Sequence, residues 1–460
     1  MSLPDDQLPG DPLRDPLRPN DFALSDAPEV QSQLDRLAKL SVPKGRLGLD
    51  VIRDLCAHLG HPERALPPVL HVAGTNGKGS TCAFLRAALE AAGKSVHVFT
   101  SPHLVRFNER IRVAGMLIGD APLAALLAEV LDVAERHDVG ASFFEVSTAA
   151  AFLAFSRTPA DACIFEVGLG GRLDATNVIP SPIACGIAAL GIDHEQFLLS
   201  PSDDVPTDPF ARIAFEKAGI AKTNAPLITL DYTPAMNETV EVQAERAGTY
   251  IVRANSDWSV TPTPEGFTYA DHLGELHLPR PRLPGLHQIQ NAGLAIAMLR
   301  HQDAIAVSDA ALVAAMDWAR WPARLQRLER GPLTDLLPAG TECWLDGGHN
   351  PDAGQALARH FAENRQLIHL VIGMLANKDP GALIGPLAER LASVTAVPVP
   401  GHEWHGAEAF RQPGCPEAGV AANVAQALTR LKPNGDEIVL IGGSLYLAGT
   451  VLAANDQAPD

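Results

Sequence analysis

Val69-Leu-His-Val-Ala-Gly-Thr-Asn-Gly-Lys-Gly-Ser-Thr81 decides the fold. Val69 to Ala73 is an apolar run with the length of a buried strand. Gly74 to Gly79 is a glycine-rich turn holding one lysine, and Ser80 to Glu90 reads as a helix with Phe84, Leu85, Ala88 and Leu89 on one face and Gly93 as its stop. Strand, glycine turn with lysine, helix is an arrangement that holds nucleotide phosphates. Residues without side chains let the backbone wrap the anion, the helix start supplies N–H groups, and the lysine adds a full charge. The first glycine stands three residues before Gly77 rather than five, and Gly79 follows Lys78 where Ser or Thr is usual. The competing reading is a tight strand-to-helix turn that happens to contain a lysine.

Working outward, strands and helices alternate. Helices are predicted from about Ser32 to Leu40, Asp50 to Leu59, over 121–136 and from Ser142 to Phe155, and strands at Val96–Thr100, Ala162–Val167, Ile183–Leu190 and Pro226–Leu230. This alternation predicts an α/β fold with a mainly parallel sheet flanked by helices. Residues 250–282 turn strand-like and polar, and helices follow at Gln288–Arg300 and 308–319. After Trp318-Ala-Arg-Trp-Pro-Ala-Arg-Leu-Gln326 the alternation restarts, with strands at Cys343–Asp346, Leu367–Gly373, Val394–Val399 and Ile438–Gly442, so a smaller Rossmann-like α/β domain is expected. The division reads as a disordered tail over 1–28, a P-loop domain over 29–320, the second domain over 321–454 and a polar tail over 455–460. The first tail is rich in Pro and Asp and repeats Asp-Pro-Leu-Arg at 11–14 and 15–18.

A chain of 460 residues exceeds one ordinary core. Its 36 basic and 54 acidic residues give a net charge of −18, which argues against sequence-independent nucleic-acid binding. Six scattered cysteines without a CxxC pair read as reduced thiols of a cytoplasmic protein. No apolar segment approaches the ~20 residues of a membrane span, and the N-terminus lacks the pattern of a secretory signal.

Several strand ends carry chemistry. Glu166 ends an apolar strand and opens Glu-Val-Gly-Leu-Gly-Gly-Arg-Leu-Asp174. A carboxylate at that edge suits a hard cation on phosphates; the alternative is a helix cap or a pair with Arg172. His194 follows the next strand, and Ser101-Pro-His-Leu follows strand two with Arg106, Arg110 and Arg112 nearby, a charge set for an anionic substrate or merely a solvated turn. Lys217 sits in a helical, partly apolar setting, and Asp346-Gly-Gly-His-Asn-Pro351 ends the first strand of the second domain.

Together these segments resemble the folylpolyglutamate synthase/dihydrofolate synthase family, a branch of the Mur-ligase-like ATP-dependent amide ligases. The resemblance rests on Gly74–Ser80, Ser101–Arg106 with Glu109–Arg112, Glu166–Asn177, Asp193-His194, Glu216–Ile220 and Asp346–Pro351, in the family's order over roughly residues 32–450. It implies that ATP phosphorylates a substrate carboxylate and that glutamate's amine displaces the phosphate. The implied acceptors are dihydropteroate or folates carrying one or more glutamates.

The resemblance also implies site residues. Thr75, Asn76, Gly77, Lys78, Gly79 and Ser80 would hold ATP, with Asn291, Arg324 and Asp346. Ser101, Glu166 and His194 would hold one magnesium ion. Lys217 matches a lysine the family carries as a carbamate, which would help bind a second magnesium ion, and His349 matches a position beside the glutamate site. Arg46, Leu47, Gly48, Ser142, Phe143, Phe144, Glu145, Leu173, Asp174 and Ala175 match the pterin segments. The cofactors implied are ATP and two Mg2+ ions, the partners small molecules only, without nucleic acid or membrane, and the expected state a monomer. Between His194 and Lys217 the chain carries a Pro/Asp-rich insertion, and Arg324 to Asp346 is longer than the family pattern. Two other readings stand beside this one: a ligase adding an amino acid to a cell-wall nucleotide precursor, and a nucleotide-hydrolysing switch.

Overall fold

The computed structural model describes residues 24–40, 48–192, 198, 205–362 and 366–460. The chain divides into two compact units: a larger one made chiefly of residues 23–326 and a smaller one made chiefly of 327–355 and 364–458.

In the larger unit, helix α1 (Pro28–Leu37) and α2 (Asp50–His58) precede strand β1 (Val69–Ala73), whose five residues are all buried. Helix α1 begins a turn before the predicted Ser32. Pro28 sits in its first turn, where a missing N–H costs nothing. Then come α3 (Lys78–Ala91), β2 (Val96–Phe99), the short strands β3 (Ile111–Val113) and β4 (Met116–Leu117), α4 (Asp120–Arg136), α5 (Phe143–Arg157), β5 (Ala162–Glu166) and β6 (Ala184–Ile187). Helix α6 (Pro209–Ala218), β7 (Leu227–Thr229), α7 (Pro234–Ala247) and β8 (Ile251–Arg253) complete an eight-stranded sheet of order β4-β3-β2-β5-β1-β6-β7-β8. The strands from β2 across to β8 run parallel, while β3 and β4 at the edge pair antiparallel. That edge leaves no local signal, because Arg112 interrupts an already short apolar stretch.

Helices cover both faces of this sheet. On one, α3 packs with α8 (His287–Arg300) and α9 (Asp309–Trp318) into a core that includes Phe84, Leu85, Met298 and Leu312. The polar segment expected over 250–282 folds into a separate antiparallel sheet, β9 (Trp258–Pro262), β10 (Gly266–Asp271) and β11 (Gly274–Pro279). Its Trp258, Phe267 and Tyr269 join that same core. On the other face α1, α2, α4 and α5 bury Leu34, Ile52, Leu127 and Phe152. Each such side chain contributes roughly 1.5–3 kcal/mol of transfer free energy.

The smaller unit holds a six-stranded sheet of order β12-β13-β17-β14-β15-β16. Its strands are β12 (Gln326–Arg327), β13 (Cys343–Asp346), β14 (Ile368–Ile372), β15 (Leu391–Ala396), β16 (Ala418–Val420) and β17 (Ile438–Gly442), with those from β13 to β16 parallel. Residue Asn455, read as the start of a tail, is buried. Its side chain accepts the N–H groups of Leu333 and Thr334 at 3.0 and 3.2 Å and donates to the Glu329 carbonyl at 3.1 Å.

Candidate active site

Parallel neighbours bring β1, β2, β5 and β6 to one carboxyl edge, the place where open α/β sheets bind ligands. The glycine loop leaves β1 there. Gly77 has φ +85°, a conformation that glycine adopts without strain, and it caps helix α3, which has no side-chain cap. The first helical bond runs from Thr81 N–H to the Gly77 carbonyl, so the amides of Lys78, Gly79 and Ser80 have no acceptor within the helix. Three amides and a dipole end worth roughly half a positive charge make an anion site. The Lys78 ammonium folds back over the loop, donating to the carbonyls of Gly74 at 3.0 Å and Thr75 at 3.3 Å.

Thr75 and Asn76 serve the loop differently from the simple cradle. Both amides donate to the Ala189 carbonyl, at 2.8 and 3.2 Å, and the Thr75 hydroxyl donates to the Gly191 carbonyl at 2.8 Å. They fasten the phosphate loop to the segment after β6. Ser80 is buried in the first turn.

Glu166 ends β5, buried, and its Oε2 accepts the Ser101 N–H at 3.2 Å. Burial raises its carboxyl above the usual range, and the charges of Lys78, Arg324 and Arg110, with that N–H, pull against the rise. The surrounding cations mark a place prepared for negative charge. A carboxylate and a hydroxyl, Glu166 and Ser101, are hard oxygen donors, the set that magnesium takes, and the Ser101–Glu166 bond holds them together. His194, Arg46 and Leu47 lie outside the described residues.

Arg110 is completely buried. Its Nε donates to His103 Nδ1 at 2.8 Å, and its guanidinium lies over the Phe107 and Phe143 rings. Glu109 gathers the loop before it by accepting the amides of Leu104, Val105 and Arg106 at 2.7 to 2.9 Å. The positive charge read from this segment therefore sits partly inside the fold, while Arg106 is exposed.

Lys217 is buried on α6, its ammonium 3.5 Å from the Gly170 carbonyl of the loop after β5. The two segments touch closely: a Cβ on Gly171 would lie 2.8 Å from the Glu216 carbonyl oxygen. Arg172 pairs with Glu216 at 2.9 Å, and Arg212 approaches the same carboxylate at 3.4 Å. Arg172, considered as a partner for Glu166, pairs with Glu216 instead, and Glu166 takes the Ser101 N–H.

Of the segments matched to the pterin, Ser142–Glu145 packs against the loop after β5. Phe144 covers Gly168, where a Cβ would stand 2.4 Å from the ring. Ser142 and Glu145 form a capping box on α5: Glu145 Oε2 accepts the Ser142 N–H at 2.8 Å, and Ser142 Oγ accepts the Glu145 N–H at 3.4 Å. The Asp174 carboxylate is engaged within its own turn, by Leu169 N–H at 2.8 Å and Thr176 N–H at 3.0 Å. Phe143 and Ala175 are buried, Leu173 is half-buried, and Gly48 is exposed.

Asn291, buried on α8, donates a hydrogen bond to Gln288 Oε1 at 3.0 Å and sets its own Oδ1 2.4 Å from where a Cβ of Gly77 would be. Arg324 lies between Ala323 and Leu325, both at positive φ, +57° and +45°. Two such non-glycine residues around one arginine carry backbone strain on the order of 1–3 kcal/mol each. Trp321, read only as part of a boundary, lies against Gly79. An aromatic three residues ahead of Arg324 was the signal.

In the smaller unit Asp346 ends β13 and its Oδ1 accepts the Gly348 N–H at 2.7 Å. His349 Nδ1 lies 3.2 Å from the Gly347 carbonyl, and Asn350 Oδ1 accepts the Ala353 N–H at 3.0 Å at the start of α10 (Pro351–Ala362).

No protein-family model matches the chain. The dihydrofolate synthase/folylpolyglutamate synthase of Bacillus subtilis is 32% identical over 438 residues, covering 88% of this chain and 94% of that protein. The chain belongs to the dihydrofolate synthase/folylpolyglutamate synthase family. Folylpolyglutamate and dihydrofolate synthases with solved structures share its fold. The Escherichia coli FolC in complex with DHPP and ADP has TM-score 0.80 and 31% identity, covering 93% of this chain and 97% of that one. A bifunctional enzyme of the family with Mn, AMPPNP and L-glutamate bound has TM-score 0.79 and 28% identity, covering 92% and 97%. The Mur-ligase-like α/β architecture and the assignment as a ligase follow from this membership. Among the described residues no helix is long and apolar enough to cross a membrane.

Proposed function

We propose that this protein joins L-glutamate to dihydropteroate, and to folates already carrying glutamate, with ATP cleaved to ADP and phosphate. The observation that carries the reading is the meeting of the Lys78 loop, Ser101 and Glu166 on one strand edge, with Lys217 against the loop that follows Glu166.

ATP lies with its phosphates on the amides of Lys78, Gly79 and Ser80, and Lys78 neutralises them, with Asn291, Arg324 and Asp346 as further nucleotide contacts. The acceptor's carboxylate oxygen attacks the γ-phosphorus, the bond to ADP breaks, and an acyl phosphate forms. Glutamate's amine then attacks the acyl carbon, phosphate leaves with the former carboxylate oxygen, and the nitrogen releases a proton. These steps need alignment and charge stabilisation rather than a protein nucleophile.

Ser101, Glu166 and His194 would hold a magnesium ion, and Lys217, carbamylated, a second; bound there, they would neutralise phosphate and carboxylate charge. The Gly48, Ser142–Glu145 and Leu173–Ala175 segments, with Arg46 and Leu47, receive the pterin, and His349 attends the glutamate. Residues 29–320 form the ATP and acceptor domain and 321–454 the glutamate domain. The protein acts in the cytoplasm as a monomer on small molecules alone.

The test is ADP release with glutamate present, comparing dihydropteroate with a reduced folate. Turnover with both supports a bifunctional enzyme, and turnover with neither removes the reading.

A further inference from the structure

His71 stands third in β1, fully buried, and no step of the ligation uses it. Its Nε2 lies 2.8 Å from Thr176 Oγ1, and that oxygen lies 2.5 Å from Asp174 Oδ1. The other Asp174 oxygen accepts the Leu169 N–H. The direction of the chain follows from the groups themselves. Asp174 receives the Thr176 amide on Oδ1 and the Leu169 amide on Oδ2, so its carboxylate is the acceptor and the Thr176 hydroxyl donates to it. The hydroxyl's lone pair then accepts from His71 Nε2–H.

This fixes the neutral Nε2–H tautomer and leaves His71 Nδ1 buried without a hydrogen-bond partner among the described residues. Burial, reinforced by the charge of Lys222, pushes the imidazole down to about 3, so the ring stays neutral near pH 7. An unpartnered buried nitrogen costs desolvation free energy that no bond returns, and a valine or leucine in this strand would carry no such cost. What the histidine provides lies at the other end of the hydrogen-bond chain.

That end is the 168–177 loop. Its remaining ties run to α6 and the residues just beyond it: Arg172 to Glu216, Asn177 Nδ2 to the Gly219 carbonyl at 3.0 Å, and Lys222 Nζ to the Asn177 carbonyl at 2.9 Å. His71 ties the same loop to β1, the strand that runs into the phosphate loop. We propose that His71 is a positioning residue for the acceptor substrate: through Thr176 and Asp174 it holds the Leu173–Ala175 backbone in register with the phosphate loop. This rests on the assignment of Leu173 to Ala175 to the pterin-bearing substrate.

The experiment measures steady-state constants for wild type, His71→Leu, His71→Gln and Thr176→Val with dihydropteroate, ATP and glutamate. His71→Leu and Thr176→Val should each raise the KM for dihydropteroate about tenfold while the KM for ATP stays within about twofold, the loss expected for one buried hydrogen bond. The His71→Gln side chain offers an N–H near the position of Nε2 and should recover the KM to within about threefold of wild type. Combining His71→Leu with Thr176→Val should add little beyond either alone, since both cut one chain. An unchanged dihydropteroate KM in Thr176→Val, or an equal rise in the ATP KM, overturns the proposal even if His71→Leu fails to fold. A wild-type protein without dihydropteroate-dependent turnover removes the functional reading instead, whatever the variants do.

Discussion

The indole of Trp321 stands where a side chain at position 79 would begin: a Cβ on Gly79 would lie 2.3 Å from Trp321 Cζ2 and 2.6 Å from its Nε1. This explains why the residue after Lys78 is not the Ser or Thr of the usual phosphate loop. Gly79→Ser should destabilise the protein by roughly 1–3 kcal/mol through overpacking and weaken ATP binding. Adding Trp321→Ala should recover much of that stability. Thermal melts and nucleotide titrations of the single and double variants check it; equal losses in Gly79→Ser with and without the indole would show that the clash is not the cause.

Glu166→Gln should abolish most of the activity, by at least about a hundredfold, through loss of an anionic oxygen at the charge-neutralising site. Its effect on stability has the opposite sign. The folded carboxyl titrates above its ordinary 4.5, so between the two values the folded state binds more protons than the unfolded one. Wild-type stability contributed by this group therefore falls as pH rises through that window. Without nucleotide or metal, the glutamine variant should gain on wild type from about pH 4.5 upward, measured by urea unfolding across pH. A gain that shrinks with rising pH would contradict the burial argument.

Lys217→Ala should lose activity by at least about a hundredfold if the lysine serves as a carbamate, and short carboxylates added to the assay should restore part of it. Full activity of the alanine variant without any added carboxylate would sink the carbamate.

Glu216 sits between two guanidinium groups, so its removal should cost more than removal of either. Glu216→Ala leaves Arg212, almost wholly buried, without the carboxylate and should cost about 3–5 kcal/mol. Arg172→Ala leaves Glu216 with Arg212 and should cost about 2 kcal/mol. Urea midpoints rank them, and the reverse order would mean that Arg212 does not compensate.

Much of this was legible in the sequence because it is local. Cys343–Asp346, Ile438–Gly442 and Val69–Ala73 are apolar runs with breakers near their ends, and the strands match them residue for residue. The strand-end chemistry followed from parallel topology: once β1, β2 and β5 alternate with helices, Lys78, Ser101 and Glu166 must share an edge. What stayed hidden depends on partners distant in sequence. Asn455 looks like a polar tail until Leu333 and Thr334 are beside it, and His71 looks like an oddity until Thr176 arrives. The Thr75 and Asn76 amides donate to the Ala189 carbonyl, a partner that nothing local reveals.

In the proposed ligation the acceptor's own carboxylate is phosphorylated and glutamate displaces the phosphate. The direct measurement uses dihydropteroate labelled with heavy oxygen in its carboxylate, with ATP and glutamate, and follows the label by mass spectrometry. One labelled oxygen is expected in the released phosphate for each glutamyl product and each ADP formed. Unlabelled phosphate, or ADP released at the same rate without glutamate, would contradict it.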